Sequence, residues 1–421
     1  MEMFIRKERT HLFAPSINIA VVSQFEGKIR EDGLYFAIKN AMRHNEILCS
    51  KIKLDTSGKA FFEMPSEPCY RFETMAGDWR SLIKEQERIP FDLEHGEYIR
   101  FFFSENKWGT LLIFIAHHVI GDGLSMTYFM EDILKSLNGY DLDYKPMKQF
   151  PFETIPKAAK LHAGMKFALN LTNKRWEKTG KIFQLCDYET LCKDFWKKKV
   201  TGILYEQIEK EQFLKLKELC NNHGITLNSL LTAVFLKAQN KQINLGITVN
   251  IREKENHSMG NYATGISISY IYNEEKDFWE NAKIVHDTIY QKLNNEKEKY
   301  FLVEYLAHVS PTLIDGAYFA AFEAYENKIA KTTADMFGYQ LNPTSMNISN
   351  LTCIHLNDEE EKYHLKEFFI LPPLPANAKS MVGISTFHDN MTITYHFAEE
   401  LDVSIEEKIF KRAIEELQEL I

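Results

Sequence analysis

The stretch of the chain that most constrains its fold is Leu111-Leu112-Ile113-Phe114-Ile115-Ala116-His117-His118-Val119-Ile120-Gly121-Asp122-Gly123. Six consecutive apolar residues, rich in branched and aromatic side chains, read as a buried strand. The run ends on two histidines, and two glycines then flank an aspartate where the chain must turn. Beyond the turn, Met130, Ile133, Leu134 and Leu137 recur at helical spacing, with Gly139 as a stop. A strand, a tight polar turn and a helix facing a core are therefore predicted in succession.

The same grammar runs through the rest of the chain. Extended segments are predicted over 17–25, 59–64, 98–103, 201–208, 245–251 and 265–272, and helices over 34–48, 155–173, 209–220 and 227–238. Helices dominate 278–331, residues 381–397 read as a hairpin turning at His388-Asp389-Asn390, and an amphipathic helix closes the chain over 405–420. The chain of 421 residues exceeds the usual reach of one hydrophobic core. Two α/β domains of similar pattern, 1–175 and 176–421, are expected.

Charge and composition remove several function classes. A formal charge of -9 gives no basic surface for a nucleic-acid backbone. The one aromatic and basic run, Phe195-Trp196-Lys197-Lys198-Lys199, reads as a solvated face. Six widely spaced cysteines without a C-x-x-C pair read as reduced thiols. No stretch reaches the ~20 apolar residues of a membrane span and no secretory leader pattern opens the chain, so a cytoplasmic protein is expected.

On a regular strand His117 and His118 point to opposite faces, so the two do not converge on one metal ion, and no metal is expected. No cysteine lies beside the motif, and neither a G-x-S-x-G elbow nor a phosphate-cradling loop is present. Two readings of the residues remain. One histidine is a general base with a pKa near the physiological range, or the pair belongs to a satisfied core at a turn. Asp122, past the strand end, suits loop anchoring better than a proton relay.

The motif His117-His118-Val119-Ile120-Gly121-Asp122-Gly123 resembles the H-H-x-x-x-D-G signature of the CoA-dependent acyltransferase superfamily, which includes chloramphenicol acetyltransferases, condensation domains and alcohol acetyltransferases. Other segments are similar in the same order: Pro90-Phe91-Asp92-Leu93 leading to Arg100, the stretch 224–233, Val249-Asn250-Ile251-Arg252, Gly260-Asn261-Tyr262, and Ser349-Asn350-Leu351. The last continues with Thr352 where the family usually has glycine, and the D-F-G-W-G motif of the plant branch is missing.

The resemblance implies two chloramphenicol acetyltransferase-like α/β domains arranged as a V around a tunnel. It makes His118 the catalytic base and His117, Asp122, Gly123 and Arg252 its structural support, with Asp122 paired to Arg252. Ser349 and Asn350 would shape the tunnel or the oxyanion environment, and the Gly123 N–H is the candidate oxyanion donor. No bound cofactor is implied; acyl-CoA or a phosphopantetheine thioester is a co-substrate. The first expectation is transfer from acyl-CoA to a small alcohol or amine. The alternatives are a free-standing condensation enzyme whose donor is tethered to a carrier protein, and a non-catalytic binding protein of the same fold.

Overall fold

The computed structural model describes residues 2–64, 66–239, 243–356, 360–399 and 404–421. Its strands, in chain order, are β1 (Glu2–Phe4), β2 (Asn18–Phe25), β3 (Lys51–Leu54), β4 (Ala60–Glu63), β5 (Cys69–Thr74), β6 (Glu97–Asn106) and β7 (Gly109–His117). The second half adds β8 (Thr201–Ile208), β9 (Ile243–Asn250), β10 (Ala263–Tyr270), β11 (Met346–Ile354), β12 (Leu365–Leu371), β13 (Ser380–Phe387) and β14 (Asn390–Ala398).

These strands form a five-stranded sheet, β12-β2-β7-β6-β5, a six-stranded sheet, β10-β9-β11-β13-β14-β8, and a small sheet, β1-β4-β3. Both large sheets mix parallel and antiparallel pairs, and helices complete two separate hydrophobic cores, one on each large sheet. The fold is α/β, as the sequence leads one to expect.

The apolar run before the histidines pairs on both sides. β7 lies antiparallel to β6 and to β2, so its residues 112–117 are buried at the centre of the first sheet. Two side-chain devices set the β6–β7 turn. Asn106 Oδ1 accepts the N–H groups of Trp108 and Gly109, and a Cβ on Gly109 would fall 2.2 Å from the carbonyl oxygen of Gly27. The β13–β14 hairpin turns through His388 and Asp389, at φ 50° and 61°. That left-handed pair matches the twist of the flanking strands.

The connection between the halves runs both ways. β12, far along the chain, pairs antiparallel with β2 from Phe25↔Leu365 to Ala20↔Leu371 and so edges the first sheet. Residues of the helices Leu185–Lys198, Pro311–Ala321 and Lys328–Phe337 enter the first core as well. Prolines 151 and 156 leave only short 3-10 turns before the helix Ala163–Glu177, later than the helix expected over 155–173. In the helix Leu185–Lys198, Phe195 and Trp196 are buried, and Trp196 Nε1 donates to the carbonyl of Pro15. Lys197 and Lys198 lie outward against Asp194 and Glu323. Among the described residues no helix is long and apolar enough to cross a membrane.

A buried ion pair ties the N-terminal segment to the second half. Arg9, in the one-turn helix Arg9–Leu12, donates from Nε to Asp315 Oδ1 at 2.7 Å and from Nη2 to Asp315 Oδ2 and the carbonyl of Gly58. Both side chains are 0% exposed. Truncating one partner leaves the other charge buried and alone, so Arg9→Ala or Asp315→Ala is expected to cost about 3–5 kcal/mol. The joint replacement Arg9→Met with Asp315→Leu should cost much less, and denaturant midpoints of the three variants would separate these outcomes.

Candidate functional site

His117 ends β7 and turns inward. Its ring sits edge-on to Phe91 and Tyr188, with centroids 5.7 and 5.9 Å away, and its Nδ1 accepts the N–H of Val119 at 3.2 Å. Burial, helped by neighbouring His118 and Arg100, pushes its pKa down to about 3. It is a neutral spacer in the core.

His118 opens the following 3-10 turn, His118–Ile120, and its half-buried side chain enters a cavity of about 410 Å³ between the two large sheets. Burial drives its pKa down to about 4, against the opposing pull of Asp122 and of a hydrogen bond from the ring to its own backbone carbonyl. Nδ1 is the ring nitrogen beside the backbone, so that bond leaves the lone pair on Nε2. The result is an uncharged imidazole able to accept a proton.

Asp122 caps the helix Gly123–Leu137. Its Oδ1 accepts from the Ser125 N–H at 2.9 Å, from Ser125 Oγ at 3.0 Å and from Arg252 Nη2 at 2.9 Å, while Oδ2 accepts the Tyr262 N–H at 2.8 Å. Burial opposes its charge, but Arg252 and the two backbone N–H groups outweigh burial and hold the carboxyl below its usual range. Arg252 also donates to the carbonyls of Asn256, Ser258 and Gly260 and to Ser125 Oγ, and it lies over the Tyr262 ring at 4.3 Å. The cluster joins the motif turn to the β9–β10 connection. With both oxygens held this way, Asp122 is an anchor and not a relay.

The cavity gathers His118, Asp122, Gly123, Ser349 and Asn350 on its wall, whereas His117 and Arg252 stand behind it. A Cβ on Gly123 would approach Leu351 Cδ2 to 3.0 Å, so the start of the helix lies close against the Ser349-Asn350-Leu351 segment. Two further lining residues have no signal in the sequence, Lys7 and His11, and both meet Asn261 of the Gly260-Asn261-Tyr262 segment. Lys7 belongs to Arg6-Lys7-Glu8-Arg9, a run that reads as surface, yet its buried Nζ donates to Asn261 O, Asn261 Oδ1 and Ala263 O. Burial, only partly countered by Glu8 and Asp122, lowers its pKa to about 8. Their partners lie some 250 positions away, where no local pattern reaches.

Thr352 explains the glycine usual at its position. β11 is irregular between Asn350 and Cys353, and Thr352 sits there at φ 59°, its N–H donating to Asn350 Oδ1 at 2.7 Å. A β-branched residue is strained in that left-handed region, while glycine is not.

A model of the condensation domain matches residues 13–365. The chain belongs to the condensation-domain family, within the CoA-dependent acyltransferase superfamily. The condensation domain from the Monacolin K polyketide synthase MokA is similar in fold, with a TM-score of 0.65 at 12% identity over 100% of this chain and 97% of that one. The two large sheets are accordingly the two chloramphenicol acetyltransferase-like lobes of that fold.

Local sequence similarity extends to two large synthetases. The hybrid PKS-NRPS synthetase xenE of Xenoacremonium sinensis is 27% identical over 130 residues, 30% of this chain and 3% of that protein. The polyketide synthase-nonribosomal peptide synthetase ACE1 of Pyricularia oryzae is 25% identical over 155 residues, 35% of this chain and 4% of that protein. The matched segments are thus a small part of these relatives.

Two predictions follow from the site's geometry. Thr352→Gly relieves the strained conformation and should raise stability by about 1 kcal/mol in equilibrium unfolding, because a non-glycine residue in this region costs of that order. The folded-state pKa values of His11, His117 and His118 all lie below the ordinary 6.5. Between that value and about 4, the unfolded chain binds protons that the folded one refuses, so stability is complete above about 6.5 and falls as pH drops. Urea midpoints at pH 7.5 and 5 should differ accordingly, and His117→Gln should reduce the difference.

Proposed function

We propose that the protein catalyses a condensation: acyl transfer from a thioester on the phosphopantetheine arm of a carrier protein to an amine or alcohol, with His118 as general base. The condensation-domain match, with His118 on the wall of a cavity between the lobes, carries this reading. It favours the carrier-bound donor over the acyl-CoA donor that the sequence first suggests.

The acceptor's N–H or O–H gives its proton to His118 Nε2 while the nitrogen or oxygen attacks the thioester carbon. The carbonyl oxygen becomes an oxyanion, for which the N-terminal N–H of Gly123 is the proposed donor. The C–S bond then breaks, and the departing sulfur takes the proton back from the imidazolium. No acyl-enzyme forms. His117 and the Asp122–Arg252 pair hold the turn that carries the base, and Ser349 and Asn350 shape the opposite wall.

The lining also indicates the acyl class. Ile17, Ile19, Leu306, Ile370 and Met381 present apolar surface. The lining ions are satisfied within the protein, Asp122 by four donors and Lys7 by three acceptors. An uncharged acyl chain suits this wall better than a carboxylate-bearing one.

The test is product formation, read by mass spectrometry, with an aliphatic acyl group loaded either on a phosphopantetheinylated carrier protein or on CoA, and with amine and alcohol acceptors. The carrier-bound donor should be used at least roughly tenfold faster, and His118→Ala should lose roughly 100-fold or more in rate. Preference for acyl-CoA would return the donor to the first expectation, and a folded His118→Ala protein turning over at the parental rate would remove the general base.

A further inference from the structure

Beside His118 stands a second imidazole that the mechanism above does not use. His11 follows Lys7 and Arg9 on the N-terminal segment, lines the same cavity, and stacks on His118 with ring centroids 4.4 Å apart and planes 27° from parallel. Asn261 lies against both rings. Its Oδ1 is taken by Lys7 Nζ at 3.1 Å and by the Ala263 N–H at 3.2 Å, so its Nδ2 is the atom that faces the histidines. Nδ2 makes its short contact with His11 Nε2, while His118 Nδ1, which keeps its hydrogen for its own carbonyl, stands 3.4 Å away and does not accept from it.

This arrangement fixes the state of His11. Because Asn261 Nδ2 is a donor, His11 Nε2 must accept, and the neutral ring carries its hydrogen on Nδ1. Protonating Nε2 would set donor against donor. Nδ1 is buried without a hydrogen-bond partner, which is destabilising for folding alone. His11 is half-buried, one nitrogen is locked and the other has no partner, and its remaining large contact is the face of the His118 ring.

We propose that His11 is a positioning residue for the general base: its neutral ring, locked by Asn261, covers one face of the His118 imidazole, fixes the ring plane and keeps water off it. The ionisable groups around the His118 ring are few and come from each side. Lys7 and Glu8 approach with the N-terminal segment, His117 precedes it on β7, and Asp122 with its Arg252 closes the turn. None of them covers the ring as His11 does, so removing His11 opens that face to water and lets His118 ionise more easily. The proposal rests on His118 being the base, and its test separates the two.

The ionisation of His118 is read directly by NMR on 15N-labelled protein, with His118→Gln assigning the signal, and needs no turnover. In the parent the ring should titrate well below 6.5. In His11→Ala the midpoint should move up by about one unit or more, and in His11→Phe, which keeps an aromatic face, it should stay near the parental value. With carrier-bound donor, the acid limb of kcat should move with the NMR midpoint. For His11→Ala kcat should fall roughly tenfold while KM for the acceptor changes little; His11→Phe should recover most of kcat. An unchanged midpoint and kcat in folded His11→Ala would overturn the proposal, as would His11→Phe titrating like His11→Ala. If His11→Ala does not fold, the His11→Phe midpoint decides alone. Absence of turnover in the parent would count against the functional reading and leave the titration result standing.

Discussion

The site depends on one buried carboxylate. Asp122 receives its four hydrogen bonds from two parts of the chain about 130 positions apart, the motif turn and the β9–β10 connection. Those bonds keep it ionised where burial alone would neutralise it. The same bonds fix the start of the helix Gly123–Leu137 and hold Gly260, Asn261 and Tyr262 against it. His118 is one short turn before this knot and Asn261 is inside it. A carboxylate so held is costly to disturb, since losing one partner strands a charge in the interior. That cost makes the knot a fixed reference for His118, the proposed base, although it takes no proton itself.

The halves of the chain are joined by more than this pair. β12 leaves the second lobe to edge the first sheet beside β2, and the Arg9–Asp315 pair ties the N-terminal segment to the helix Pro311–Ala321. His11 is two residues from Arg9, so the ion pair that secures this segment also sets where the second imidazole stands. The cavity lies where these cross-connections meet. Its walls therefore move little unless several buried contacts break together, which suits a reaction that depends on placing a base, a thioester and an acceptor within reach of one another.

How much of this could be read in the sequence varies with the range of the interactions. The strand, turn and helix around the histidines are legible because six apolar residues, two glycines and a helical stripe allow little else. The hairpin at His388 and Asp389 is legible for the same local reason. β11 and β12 have no such pattern, and only their partners make them strands. The relation of Arg252 to Asp122 is legible only through the family resemblance, because nothing in the residues between them encodes a contact. Lys7 and His11 were out of reach: a charged run near the N-terminus reads as solvated, and its burial is decided by carbonyls and an amide on a distant segment.

The electrostatic character of the cavity follows from these burials. Its imidazoles are neutral, its carboxylate is cancelled by an arginine and backbone N–H groups, and its lysine is surrounded by carbonyl oxygens. Apart from the Lys7 ammonium, held by neutral oxygens, the wall carries little free charge, which suits the neutral thioester and neutral nucleophile of the proposed reaction. In the proposed reaction charge first appears on the imidazolium and the oxyanion, close together and of opposite sign, in a poorly solvated space where their mutual attraction is strong. An imidazole held by burial at a pKa of about 4, as His118 is, would be a weak base in water. Here it need only hold the proton while that opposite charge stands beside it, and it surrenders the proton readily when the thiolate leaves.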